Sequence, residues 1–254
     1  MRIAIATAAI GRAYQIACSP GIKSQKRYSQ RHGYDFIYQK TSLDPSRTPN
    51  WSKIRLVQSL LPKYDWVLWL DADLIIMDLE KPLTNWIDPN YSLIICEEVI
   101  GGLNSGVFCI KDTPLMNQFL TEVYGRANRT SRPDSDQTSL REVLDRGPHY
   151  QSETKILPQK TINSFAPEAV LHETIDFLPG TYTPGDFLVH FPSMRDPVKL
   201  AFLMKKYSMS PRVFQIFALS LEWVSKILGL IHPKAKKAAL FFHTKKRKSA
   251  IFPL

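Results

Sequence analysis

Two carboxylates one residue apart, Asp71 and Asp73, follow directly on residues 66–70, Trp-Val-Leu-Trp-Leu. Five apolar residues without alternation suit a strand covered on both faces, and ligands of open α/β sheets bind just beyond the carboxyl ends of such strands. Two acids placed there repel each other. A divalent cation relieves that repulsion, and oxygen ligands suit Mg²⁺ or Mn²⁺. The pattern alone carries little information: with Asp at about 6% of residues, a chain this long shows one Asp-x-Asp by chance about as often as not, and Asp134-Ser135-Asp136 is a second. The apolar strand in front singles out the first, with a turn or capping pair as the alternative. His190 ends another short apolar stretch, residues 185–191, and is a candidate third ligand because imidazole is acceptable to Mn²⁺. Residues 101–106, Gly-Gly-Leu-Asn-Ser-Gly, read as a turn into a strand over 107–110. There Asn104 and Ser105 offer groups of the kind that hold a sugar hydroxyl, and Gly106 permits close backbone approach. Asp136 and Gln137 open a further helix, with Asp136 either a functional acid or an N-cap.

The elements that must position these groups alternate between strand and helix. Residues 2–10 resemble a short secretory core, but a single basic residue precedes them and Gly11-Arg12 ends the run, so a first buried strand is the expectation. A helical region over 13–32, interrupted near Ser19-Pro20-Gly21, and a strand over 34–39 complete a βαβ unit with a parallel sheet. Asn50 is placed to cap a helix over 51–61, whose Ile54, Val57 and Leu61 recur at helical spacing, and Pro62 stops it. Apolar runs at 92–96 and 106–110 and helices near 114–126 and 137–145 continue the pattern. The fold class expected is α/β, with a mixed, mainly parallel central sheet flanked by helices.

The chain has 254 residues, 44% hydrophobic and 22% charged, which fits one globular domain, or one domain with an appendage, and excludes a disordered or collagen-like polymer. No run of about 18 charge-free apolar residues exists, which argues against a polytopic membrane protein. Cys18, Cys96 and Cys109 lack metal-like spacing and read as reduced, packed thiols. The net charge of +10 is uneven: residues 195–254 carry 13 Lys and Arg against Asp196 and Glu222, a net of +11 that leaves −1 for residues 1–194. Within this tail, residues 212–231 read as an amphipathic helix. It either packs on the body or lies on an anionic membrane surface.

The order and spacing of Trp51-Ser-Lys53, Trp69-Leu-Asp71-Ala-Asp73, Asn104-Ser-Gly106-Val, Ser135-Asp136-Gln137 and Gly185-Asp-Phe-Leu-Val-His190-Phe resemble the retaining GT-A glycosyltransferases of the galactosyl/xylosyltransferase group, with the glycogenin-like group a near relative. The resemblance spans roughly residues 1–195. It implies a GT-A catalytic domain over 1–195 and a helical, basic extension over 196–254. It further implies that Asp73 and His190 bind Mn²⁺ (or Mg²⁺) with the donor diphosphate, while Asp71 reaches the metal or the ribose. Lys53 is then the family lysine near the donor, and Thr7 and Ala72 border the nucleotide. Asn104, Ser105 and Gly106 lie along the sugar, and Asp136 and Gln137 line the other face of the anomeric carbon. The family pattern has Gly three residues after the His and Lys soon after. Ser193 and Arg195 stand there in this chain, and Arg195 is expected to clamp a phosphate bidentately.

The function expected is transfer of a hexose or pentose from a UDP-sugar to a glycan or glycolipid acceptor. The location expected is cytoplasmic, in a bacterial or viral setting, with the tail holding the enzyme against a membrane. Nucleic acid is not an expected partner. A sugar-nucleotide nucleotidyltransferase is the first alternative, disfavoured because residues 7–14 lack a Gly-rich, basic nucleotide loop. A non-catalytic polyanion- or membrane-binding protein is the second, and it leaves Asp71, Asp73 and His190 without a role.

Overall fold

The computed structural model describes residues 1–99, 101–126, 136–170 and 179–209. The chain opens β1 (Ile3–Ala8), α1 (Arg12–Ala17), α2 (Ser19–His32), β2 (Asp35–Gln39), α3 (Ser52–Leu60), β3 (Trp66–Leu70) and β4 (Leu74–Ile76). It continues β5 (Leu93–Glu97), β6 (Leu103–Lys111), α4 (Pro114–Gly125), α5 (Asp136–Arg146), α6 (Pro148–Gln151) and β7 (Thr154–Leu157). The last elements are α7 (Gln159–Ile162), α8 (Pro167–Val170), β8 (Leu188–His190) and α9 (Pro197–Ser208). Six strands form one sheet in the order β2-β1-β3-β6-β5-β7, and β4 pairs with β8 in a second, two-stranded sheet. Neighbours are parallel except where β6 meets β3 and β5, so β6 alone runs against the rest. The α/β expectation holds, with a mixed and mainly parallel sheet.

Both faces of β3 are covered, which is why its sequence shows no polar alternation. Val67 and Trp69 pack with Ile54 and Val57 of α3 and Phe119 of α4, whereas Leu68 and Leu70 join Tyr28 of α2 and Leu188 of β8 on the other side. Within the run at residues 2–10 lies β1, buried from Ile3 to Thr7, and the three cysteines are free and buried.

Several local expectations differ. The helical region over 13–32 breaks at Cys18, one residue before the Ser-Pro-Gly sequence. Pro20 sits in the first turn of α2, where a missing N–H is tolerated. Gly21 is there for contact: a Cβ on it would lie 2.2 Å from the Leu74 carbonyl oxygen and 2.6 Å from that of Ala72. Asn50 is not the cap of α3; a 3₁₀ turn over Pro49–Trp51 leads into that helix, and Asn50 Nδ2 donates to Asp136 Oδ1 at 2.9 Å. Asn104, Ser105 and Gly106 belong to β6 itself, not to a turn before it. The compact body runs to Ser208, beyond the boundary expected at 195, because Leu200, Leu203 and Met204 of α9 are buried in a cluster with Ala17, Cys18, Ile75 and Val189. Residues 134–135 and the amphipathic stretch at 212–231 lie outside the described residues. Among the described residues, no helix is long and apolar enough to cross a membrane.

Because the atoms a Cβ would meet at Gly21 are backbone carbonyls, Gly21→Ala must push α2 away from the segment carrying Asp73. We expect about 2–3 kcal/mol of destabilisation, the upper range for overpacking, measured as a lower midpoint of urea unfolding.

Candidate active site

The carboxyl ends of β1 and β3 open into a cavity of about 710 Å³ whose wall includes Ala8, Asp71, Ala72, Asp73, Ser105, Asp136, His190 and Arg195. Two antiparallel pairings build it. The reversal of β6 sets Val107 opposite Leu70, and Asp71 N donates to the Gly106 carbonyl at 2.8 Å, so the first residues of β6 arrive beside the acids. The β4–β8 register sets His190 opposite Leu74, and Phe191 N donates to the Asp73 carbonyl at 2.9 Å. Strand pairing therefore brings the histidine to the acid pair.

His190 Nε2 lies 3.3 Å from Asp73 Oδ1 and 3.9 Å from Asp71 Oδ2. One ligand atom from each of these three residues falls within 4.8 Å of the others. A side chain at residue 106 would not fit here: a Cβ on Gly106 would lie 2.5 Å from His190 Cε1 and 3.0 Å from Asp71 Oδ2. Among the described residues nothing donates to Asp73 Oδ1, which is buried, and a buried carboxylate oxygen left so is costly unless a cation faces it.

Lys53 explains how the acids coexist. Its ammonium is buried between Asp71 Oδ1 at 3.1 Å and Asp136 Oδ2 at 2.9 Å, and also donates to the Ser105 carbonyl at 2.9 Å. Burial opposes its charge, but Asp136 and Asp71 outweigh burial and hold the ammonium above the ordinary lysine value. Asp136 is likewise buried against its charge, yet Lys53, Asn50 and Ser105 together hold its carboxyl below the usual range. Asp71 goes the other way: burial raises it, Lys53 pulls it down and Asp73 pushes it up, for a net rise. Its Oδ1 is taken by Lys53 and by Trp69 Nε1 at 2.7 Å, which leaves Oδ2 to face His190. Asp71, Asp73 and Asp136 against Lys53 leave two negative charges, the deficit a dication cancels. Two carboxylates, one of them carrying the orphaned oxygen, and one imidazole make Asp71, Asp73 and His190 a set that could hold a metal ion.

Other expected residues divide. Gln137 and Ser105 line the cavity and bind each other, Ser105 N donating to Gln137 Oε1 at 3.0 Å. Asn104 lines it too, but its Oδ1 is used internally by Gly106 N at 2.8 Å and Asn163 Nδ2 at 2.9 Å. Arg195 is exposed on the rim, with no acid paired to it among the described residues. Thr7 is corrected: it is wholly buried in β1 and absent from the wall, because side chains alternate along a strand and Ala8 is the residue that reaches the cavity. Ser193 has φ 61°, the left-handed region that favours glycine.

Three wall or support residues escaped the sequence reading. Tyr14 and Glu98 line the cavity, and Asn163 binds His190 behind it. Tyr14 follows at helical spacing from Gly11 and looks like any core aromatic, Glu98 lies in a stretch without pattern, and nothing local marks Asn163.

Replacing Lys53 by Met leaves Asp71 and Asp136 facing each other without their cation. We expect a loss of about 3–5 kcal/mol, the cost of removing one partner from a buried pair. The sign of the pH dependence is a second check. In the parent the lowered Asp136 contributes stability above about pH 4, lost as pH falls through its folded value. In K53M both acids have raised folded values, so the variant gains stability as pH falls from 7 towards 5, as thermal unfolding across that range would show.

Known proteins match this arrangement. A family model described as the galactosyl transferase GMA12/MNN10 family matches residues 17–90 and 84–195. Galactomannan galactosyltransferase 1 of Cyamopsis tetragonoloba is 28% identical over 109 residues, 39% of this chain and 25% of that protein. Xyloglucan 6-xylosyltransferase 4 of Arabidopsis thaliana is 24% identical over 102 residues, 36% of this chain and 20% of that protein. The chain thus spans about a quarter or less of the length of these relatives. Among solved structures, a glycosyltransferase involved in glycosylation of the major capsid of PBCV-1 has a TM-score of 0.62 at 19% identity, covering 81% of this chain and 99% of that one. GlyE of Streptococcus pneumoniae TIGR4 has a TM-score of 0.57 at 18% identity, covering 89% and 64%. These likenesses place the fold with the GT-A glycosyltransferases. Since the matched segments contain every member of the charged cluster from Lys53 to His190, the chain belongs to the galactosyl transferase GMA12/MNN10 family of glycosyltransferases.

Proposed function

We propose that this glycosyltransferase moves a hexose or pentose from a UDP-sugar to a glycan or glycolipid acceptor, with retention of anomeric configuration and with Mn²⁺ (or Mg²⁺) held by Asp71, Asp73 and His190. The observation that carries the metal-dependent reading is the two-charge deficit beside an orphaned Asp73 oxygen. A bound dication would supply charge stabilisation to the departing diphosphate. Arg195 on the rim offers a planar pair of donors to the same phosphates. Lys53 keeps Asp71 and Asp136 ionised together and so fixes the negative potential of the wall.

Asp136 and Gln137 border the cavity where the anomeric carbon would sit. Hydrogen bonds from Asn50 and Ser105 and the Lys53 ammonium hold the Asp136 carboxylate ionised and blunt it as a nucleophile. That favours electrostatic support of the positive charge developing on the sugar over a glycosyl adduct. In this route the acceptor oxygen bonds to the anomeric carbon on the face the diphosphate leaves, the carbon–phosphate oxygen bond breaks, and a phosphate oxygen takes the hydroxyl proton. The strongly basic residues 195–254 support a further part of the proposal, attachment to an anionic membrane surface beside a lipid-linked acceptor.

Incubation with a panel of nucleotide sugars tests the chemistry. A UDP-hexose or UDP-pentose should be hydrolysed in a Mn²⁺-dependent way, and Asp73→Ala should lower turnover by about 10³-fold with no loss of thermal stability, because the residue removed is a buried charge without hydrogen bonds at that oxygen. Activity unchanged by chelator, or equal in the variant, would overturn the metal assignment. Deleting residues 210–254 should abolish co-sedimentation with anionic phospholipid vesicles; unchanged binding removes the membrane attachment.

A further inference from the structure

Behind the acid pair, a chain of buried amides reaches from the backbone of β6 to the imidazole of His190. Gly106 N donates to Asn104 Oδ1 at 2.8 Å, Asn163 Nδ2 donates to the same oxygen at 2.9 Å, and Asn163 Oδ1 lies 2.8 Å from His190 Nδ1. Asn163 is wholly buried, and Asn104 and His190 nearly so. A backbone N–H can only donate, which settles every atom in the row. The Asn104 atom at Gly106 must be its oxygen, so the Asn163 atom facing that oxygen must be the amide nitrogen. The opposite end of Asn163 is then its carbonyl, which can only accept. His190 Nδ1 must therefore carry a hydrogen, and in the neutral ring the lone pair falls on Nε2, the nitrogen that faces Asp71 and Asp73.

We propose that Asn163 is a positioning residue that selects the metal-binding tautomer of His190 and locks the plane of its ring, using Gly106 N–H as the fixed reference. The inference rests on the metal-dependent reading for its purpose, but the tautomer follows from the hydrogen bonds alone. Ring orientation has few other determinants. Phe165 meets the imidazole edge-on at 5.5 Å between centroids, which limits its room without distinguishing its two nitrogens. The backbone of His190 is tied to Ser164, next to Asn163, through His190 N donating to the Ser164 carbonyl at 2.8 Å. The segment at 163–164 therefore fixes both the strand position and the ring.

Two variants separate orientation from packing. Asn163→Leu keeps the approximate volume and removes the acceptor, and Mn²⁺ affinity measured by calorimetry should fall by 10–100-fold, the usual effect of losing a ligand's hydrogen-bond partner. Asn163→Asp keeps an acceptor for Nδ1–H while losing the donor to Asn104, and should bind Mn²⁺ within about threefold of the parent. Equal weakening in both variants, or parent-like affinity in a folded Asn163→Leu, would overturn the proposal. On the metal-free parent, ¹⁵N NMR at a pH where the ring is neutral should show hydrogen on Nδ1; hydrogen on Nε2 would overturn it whatever the variants do. A parent that binds no Mn²⁺ but shows the Nδ1–H form would instead sink the metal-dependent reading.

Discussion

The buried ammonium of Lys53 is the constraint on which the site depends. Three carboxylates at the end of one sheet, Asp71, Asp73 and Asp136, cannot all be ionised in a half-closed cavity unless something positive is built into its wall. Lys53 spans two of them at 2.9 and 3.1 Å and has its remaining bonding capacity used by Ser105. It compensates one charge and leaves the others uncompensated. A protein selected only for stability would replace such a cluster with apolar packing, and its retention marks a surface shaped to receive positive charge.

The scaffold turns that electrostatic need into geometry through one reversed strand. With β6 antiparallel to β3, its first residues rather than its last lie at the ligand-binding edge of the sheet. Asn104, Ser105 and Gly106 therefore meet the acids as regular strand, held by ladder hydrogen bonds. The register shift between Ile95 and Cys96 lies in the β5–β6 pairing at this same end, and such irregularities re-aim side chains where a ladder would otherwise continue. Glycine at 106 completes the arrangement, since any side chain would occupy the space between His190 and Asp71.

Much of this was legible in the residues. The unbroken apolar run of β3 announced a doubly covered strand, its abrupt end located the acids, and the resemblance to the galactosyl/xylosyltransferase group implied that Lys53, Asp136 and His190 join them. Periodicity did not reveal that β6 begins three residues earlier than its apolar stretch, because Asn104 and Ser105 are polar residues buried in a strand, satisfied by partners far along the chain. Thr7 illustrates a related difficulty: the phase of alternation relative to a ligand cavity depends on where the strand ends in three dimensions. Asn163 carries no local sign at all. Its importance is a matter of two hydrogen bonds, with Asn104 and His190, which only the folded chain brings together.

The pairing of Leu74 with His190 also sets an order of assembly. Lys53 and Ser105 are 52 positions apart with Asp71 between them and can meet earlier, whereas docking β8 closes a loop of roughly a hundred residues, and contacts of such separation form late because their ordering entropy must be met before they gain anything. A nascent polypeptide thus exposes its two neighbouring acids well before the imidazole has been synthesised. Until that final strand is seated, the acid pair lacks the third side chain of the cluster.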